Sequence, residues 1–422
     1  MKITEYSKEQ LEALEKELSA QYEEFAAQGL SLDMSRGKPG PTQLDLTNGL
    51  FTAVDETNFT CEIGDPRNYG ALEGIPEIRR LFSEVYDIPA ENIIVGGNSS
   101  LNIMYDSMQR ITAFGTLGSR PWSQVEGRKW ICPVPGYDRH FAITELFGFE
   151  MIPVPLLEDG PDMDMVEELV KDEKVKGIWC VPLYSNPDGT CYSDETVRRL
   201  VSMECAAEDF RIFWDNAYGI HHLYEERKLL DIIEECIAAG HPNRVLYFAS
   251  TSKVTFPGAG VSIMAASMEA KAEIMKLMSV QTISFDKINQ LRHARFFGDA
   301  DGVRKHMKEL AAQLIPKFDI VLNTLDRELE GTGLLKWKKP AGGYFVSVDT
   351  LPGCAKETVG LAAKAGVKMT GAGATYPYGK DPMDTNIRIA PTYPSTEELQ
   401  QAMDLFCVCV KLAGVRKLLE EQ

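Results

Sequence analysis

A chain of 422 residues, 44% apolar and 25% charged, is too long for one simple core, so two domains, or one large domain with a satellite, are expected. Its 44 basic and 62 acidic residues leave a formal net charge of −18, which argues against nucleic-acid or anionic-membrane partners and makes any buried cation notable. The nine cysteines form no Cys-x-x-Cys pair and read as reduced, cytoplasmic thiols; the N-terminus lacks the apolar stretch of a secretion signal, and no apolar run reaches the ~18 residues that span a bilayer.

In chain order, residues 7–28 read as a helix with Leu11, Leu14 and Leu18 on one face, and residues 31–50, rich in Gly and Pro, read as a loop. Short apolar runs follow at Ile93–Val95, Lys129–Pro133, Met151–Val154, Gly177–Val181, Arg211–Trp214 and Arg244–Phe248. Helical stretches at 100–112, 137–147, 162–171 and 194–207 separate most of them. This alternation predicts an α/β fold with a mainly parallel sheet and crossover helices. A single long helix is expected over about 267–298, and another over 302–330. A strand over 342–348 and helical stretches around 355–365 and 395–420 then suggest a smaller α+β domain. The expected division is a large domain over 51–300 and a small one built from 1–50 plus 301–422.

Ligands of parallel sheets gather at the carboxyl ends of strands. Asn186 and a Pro-Asp-Gly turn follow one apolar run, and Asp215-Asn216-Ala217-Tyr218 follow another. Ser250-Thr251-Ser252-Lys253 and a Gly-rich turn follow a third. Singly, these are ordinary turns and helix caps. Together they fit pyridoxal 5′-phosphate (PLP). A lysine, Lys253, holds the cofactor as a Schiff base, and an acid, Asp215, faces the pyridine nitrogen so that the ring becomes an electron sink. Asn186 and Tyr218 suit the ring's phenolic oxygen. Gly97, Asn98, Ser99 and Ser100 open a helix straight after a strand, a place for a phosphate, and Ser250 and Ser252 add hydroxyls. Tyr137, at another strand end, offers a stacking face. Arg388, between apolar residues in Asn386-Ile387-Arg388-Ile389, offers a planar fork for a substrate carboxylate. The histidines His140, His221 and His222 lack a third ligand at useful spacing, so no metal site is expected, and the His221–His222 pair is expected to line or buttress the site.

The order of Ser35-Arg36-Gly37-Lys38-Pro39, Asn68-Tyr69-Gly70, Gly96-Gly97-Asn98-Ser99-Ser100, Pro135-Gly136-Tyr137-Asp138-Arg139-His140, Asp215-Asn216-Ala217-Tyr218, Ser252-Lys253 and Asn386-Ile387-Arg388 resembles the fold-type I, class I PLP-dependent aminotransferases. More narrowly it is similar to the type Ic aspartate aminotransferases. The resemblance implies transamination, with L-aspartate and 2-oxoglutarate as the substrate pair. It also implies Lys253 as proton shuttle, a backbone contact from Gly37 to substrate, and assistance from Asn186 at the carboxylate held by Arg388. It implies a homodimer in which Tyr69 reaches the phosphate of the other subunit.

Two departures stand out. Many relatives carry a phosphate-binding arginine eight residues after the lysine, where this chain has Val261; Arg292 and Arg295 are candidate replacements. A sister subgroup places a lysine for the distal carboxylate where this chain has Asn98, which leaves Arg36, Lys38 and Arg139 as candidates. Other amino acids as substrates, or C–S lyase chemistry on the same scaffold, remain open alternatives. A PLP-binding transcription regulator would need a DNA-binding domain, and only a short segment precedes Ser35.

Overall fold

The computed structural model describes residues 2–422. At its centre is an eight-stranded sheet in the order Ile93–Val95, Ser262–Ala265, Val245–Ser250, Arg211–Asp215, Val175–Cys180, Lys129–Val134, Glu150–Leu157, Gly160–Pro161. The five strands from Val245–Ser250 to Glu150–Leu157 run parallel. Ser262–Ala265 pairs antiparallel with both of its neighbours. The apolar runs are continuous because both faces are covered. Ile131, Ile178, Cys180, Ile212 and Trp214 belong to one core, and Trp130, Cys132, Trp179 and Phe213 to the other, following the period of two along each strand. At Gly177 a Cβ would lie 2.4 Å from the Trp130 ring and 2.6 Å from the Arg211 carbonyl, so a glycine is required where that indole crosses its neighbour.

The helix expected over 267–298 is two helices, Met268–Gln281 and Lys287–Phe297. The first ends where the Thr282 backbone turns extended, and Asp286 caps the second by accepting from the Asn289 N–H, a local hydrogen bond. The expected loop at 31–50 contains a short strand, Leu32–Asp33, that pairs with Val367–Lys368, and a helical turn, Pro41–Asp45. Its backbone groups are satisfied by a partner more than three hundred residues away in the chain, which no local pattern reveals. Leu335–Trp337, Val346–Thr350 and Asn386–Ile389 form a three-stranded antiparallel sheet. The strand expected over 342–348 therefore begins at Val346, and Gly342-Gly343 are loop, with the Gly343 N–H bonded to the His221 carbonyl. Helix Lys8–Ala26 packs on the C-terminal helix Thr396–Glu421. That last helix opens with a reciprocal cap: Ser395 Oγ accepts from the Glu398 N–H, and the Glu398 carboxylate accepts from the Ser395 N–H. No helix among the described residues is long and apolar enough to cross a membrane.

Candidate active site

A cavity of about 120 Å³ opens at the carboxyl ends of the parallel strands. Asp215 ends one strand, and Lys253 follows another in the loop after Ser250. Asn186 and Tyr137 stand in loops after two more strands. Ser99, Ser100, Tyr137, Asn186, Asp215, Tyr218, Ser250, Ser252 and Lys253 all line the cavity, as do Leu101, Met104, Val181 and Ala217. Sequence reading singled out the polar members; the apolar four carried no signal beyond ordinary core composition.

Asp215 is 2% exposed. Its Oδ2 lies 2.9 Å from His140 Nε2, while its Oδ1 is buried without a hydrogen-bond partner. A buried carboxylate oxygen left unpaired is costly, so this atom calls for a donor from within the cavity. The Lys253 ammonium lies 4.8 Å from the centre of the Tyr218 ring. Burial and the nearby Asp215 push the Tyr218 phenol up, which keeps its proton available for donation. Burial likewise raises the Tyr137 phenol to about 12.

Across the cavity, helix Ser100–Phe114 begins with Ser99 at the cap position, and the Ser99 side chain makes no cap hydrogen bond. The first N–H groups of this helix are therefore left for an anion. Ser250 Oγ and Ser252 Oγ, 3.1 Å apart, face the same end. Lys253 is the one cation among the described residues that line this cavity. Arg295 donates to the Thr60 carbonyl, and neither it nor Arg292 reaches the cavity wall. Val261 is buried, and its N–H donates to Thr251 Oγ1.

Some candidates stand outside the wall. The Gly97 carbonyl accepts from Ser262, and Asn98 donates to the Pro257 carbonyl while its own carbonyl accepts from Ser252 Oγ, so both shape the loop beneath the helix start. Arg388 is buried one layer out, its Nη1 3.2 Å from Asn186 Oδ1. Gly37 lies on the Phe345 ring, where a Cβ would come within 2.5 Å of a ring carbon, and Phe345 in turn packs against the Arg388 guanidinium at 4.8 Å. Tyr69 is 80% exposed in a surface loop.

His221 Nε2 lies 3.4 Å from the Lys253 carbonyl, and its Nδ1 is buried and unpaired; burial pushes this imidazole down to about 3, so it is neutral. His222 Nδ1 pairs with the Tyr184 hydroxyl at 2.7 Å. Sequence reading missed the His140–Asp215 contact and the Arg388–Asp138 contact. The first had a signal, since His140 stands three residues after Tyr137 and so shares its helix face.

Residues 6–422 match the family model described as aspartate amino-transferase. The chain belongs to that family. It is a PLP-dependent aminotransferase of fold type I. An aspartate aminotransferase of Corynebacterium glutamicum is 47% identical over 415 residues, spanning 98% of this chain and 96% of its own. The structure of an aspartate transaminase from the same organism superposes with a TM-score of 0.97 at 46% identity, covering 99% of each chain. An α-aminoadipate aminotransferase of Thermus thermophilus, whose structure holds N-(5′-phosphopyridoxyl)-L-leucine, shares the fold with a TM-score of 0.74 at 20% identity over 92% of this chain and 93% of its own.

The cavity residues fit the cofactor of this family. A protonated pyridine nitrogen is the donor that the unpaired Asp215 Oδ1 lacks, and the uncapped helix start with its two serine hydroxyls suits a phosphate. When bound, PLP supplies the electron sink that stabilises charge at the substrate's α-carbon.

Proposed function

We propose that this aminotransferase exchanges the amino group of L-aspartate with 2-oxoglutarate. In this reading Lys253 holds PLP covalently and then moves a proton at the substrate α-carbon. Asp215 keeps the ring nitrogen protonated, oriented by His140. Asn186 and Tyr218 donate to the phenolic oxygen, and Tyr137 covers the ring face. Ser99, Ser100, Ser250 and Ser252 hold the phosphate, with Gly97 and Asn98 shaping the loop below. Arg388 grips the substrate α-carboxylate with Asn186 beside it, and Gly37 contributes its backbone. The observation that carries the reading is the buried, unpaired Asp215 Oδ1 in the same cavity as Lys253.

The aspartate side chain needs a second cation. A cavity of about 380 Å³ adjoins the first, shares Ser99 and Leu101 with it, and has Arg139 as its one lining cation among the described residues. Lys38 is stacked on the Tyr393 ring, 3.7 Å from its centre, and Arg36 is exposed and lines neither cavity. Arg139 is therefore the favoured partner of the distal carboxylate.

Residues 51–300 as a large domain and 1–50 plus 301–422 as a small one agree with the packing of the first helix on the last and the pairing of Leu32–Asp33 with Val367–Lys368. A homodimer is part of the reading, supported by the exposure of Tyr69, Phe51, Val280 and Ile283. The nine free cysteines agree with a cytoplasmic setting. The direct test is to add amino acids one at a time to the yellow holoenzyme and record which bleach it. Aspartate and glutamate are expected to do so at the lowest concentrations; a preference for alanine or an aromatic amino acid overturns the substrate assignment.

A further inference from the structure

Arg388 is 7% exposed, and a guanidinium at that depth is costly without an anion. Two of its partners are neutral oxygens: Asn186 Oδ1 at 3.2 Å and Thr370 Oγ1 at 3.2 Å. Its Nε is buried without a partner. The one carboxylate within ion-pair distance among the described residues is Asp138, whose Oδ1 lies 3.3 Å from Nη1. Asp138 opens helix Asp138–Leu146, directly after Tyr137 on the cavity wall. An acid in a helix's first turn has an ordinary explanation, attraction to the N-terminal N–H groups. That attraction accounts for the residue type but not for a carboxylate turned toward a guanidinium 250 positions away in the chain.

The two sides of this pair are unequally held. Arg388 is fixed by Asn186, Thr370 and the Phe345 ring, 4.8 Å from the guanidinium carbon. The Asp138 side chain is 37% exposed, and among the described residues it is tethered by one long contact to Arg388. It is able to swing into solvent at little cost, since an ionised carboxylate is well solvated there.

We propose that Asp138 is an internal stand-in for the substrate carboxylate. It neutralises Arg388 in the empty site and is displaced when a substrate carboxylate takes the same guanidinium. The arrangement keeps the buried cation compensated in both states and makes every carboxylate ligand compete with a built-in one, so Asp138 sets affinity and not only structure. This inference rests on the reading of Arg388 as the carboxylate site.

Calorimetric titration of the holoenzyme with succinate, an unreactive dicarboxylate, tests it without turnover. Asp138→Asn, which keeps the shape, is expected to bind succinate more tightly by on the order of tenfold, because a competing charge is gone. Asp138→Ser, which keeps a polar group at the helix start, is expected to do the same if the asparagine variant folds poorly. Arg388→Gln is expected to lose succinate binding, and Asp138→Asn added to it to recover none. Unchanged or weaker succinate binding in both folded Asp138 variants, with Arg388→Gln still defective, overturns the stand-in role alone. Normal binding by Arg388→Gln overturns the carboxylate site and the stand-in together.

Discussion

His140 Nε2 stands 2.9 Å from Asp215 Oδ2, with both side chains buried. The imidazole is stacked on the Trp179 indole at 4.2 Å and 7°. The Trp179 N–H donates to Thr144 Oγ1, which itself donates to the His140 carbonyl. Because a carboxylate only accepts, the contact places a proton on Nε2 and leaves Asp215 Oδ1 as the free acceptor. Asp215→Ala should slow proton removal from the substrate α-carbon by on the order of a thousandfold, since a preorganised charge at the cofactor is lost. Single-turnover kinetics near the normal rate in this variant would refute the role. His140→Ala should have a smaller effect, because it removes the orienting group and not the charge.

Lys253→Ala should lose the covalent attachment of PLP and nearly all turnover. Borohydride reduction of the wild-type holoenzyme followed by peptide mapping should place the label on Lys253; a label on another lysine sinks the assignment.

Arg388→Lys should raise KM for every amino acid substrate, because an ammonium does not reproduce the two-pronged contact of a guanidinium. Arg139→Ala should instead discriminate. It should lower kcat/KM for aspartate and glutamate by roughly tenfold or more while sparing alanine, as expected for loss of a charge-assisted contact to the distal carboxylate only. An equal loss for all three amino acids would remove Arg139 from the specificity role.

Tyr69 projects from the surface at 80% exposure, which suits a residue that completes a neighbour's site. Tyr69→Phe should weaken PLP affinity by about 1.5–3 kcal/mol, the worth of one hydrogen bond to a charged group. Inactive Lys253→Ala chains mixed with inactive Tyr69-truncated chains should recover activity, since a mixed dimer holds one site with both residues. Proven heterodimers without activity would place Tyr69 in its own subunit's site or outside any site.

Stability should fall on acidification. Burial lowers His221 from 6.5 to about 3 in the folded state, and lowers His293 to about 4. Between these values and 6.5 the unfolded chain binds more protons than the folded one, so stability is full above about pH 6.5 and declines as pH falls. For His221 alone the loss by about pH 5 is roughly 2 kcal/mol. Thermal unfolding across this range should show Tm falling with pH, and less steeply in His221→Asn; parallel slopes in the two proteins would show that His221 does not contribute.

The sequence by itself determined six of the eight strands of the central sheet and which residues follow them; Ser262–Ala265 and Gly160–Pro161 were not among the expected runs. Runs such as Arg211–Trp214 are continuous because both faces are covered, and cavity-lining residues such as Asp215 and Lys253 stand at or shortly after the ends of such runs, so chain order maps onto cavity position. Local chemistry also located the first and last helices, each begun by a serine cap. Tertiary structure decided what depends on residues far apart in the chain. Leu32–Asp33 is a strand only because Val367–Lys368 lies beside it. His140 meets Asp215 across 75 positions, and Asp138 meets Arg388 across 250. Each of these residues has an ordinary local reading, as a helix or strand residue. Its second role arises only when folding brings a distant partner within a few ångströms, because a hydrogen bond or buried ion pair is decided by distance in space and leaves no periodic trace in the chain.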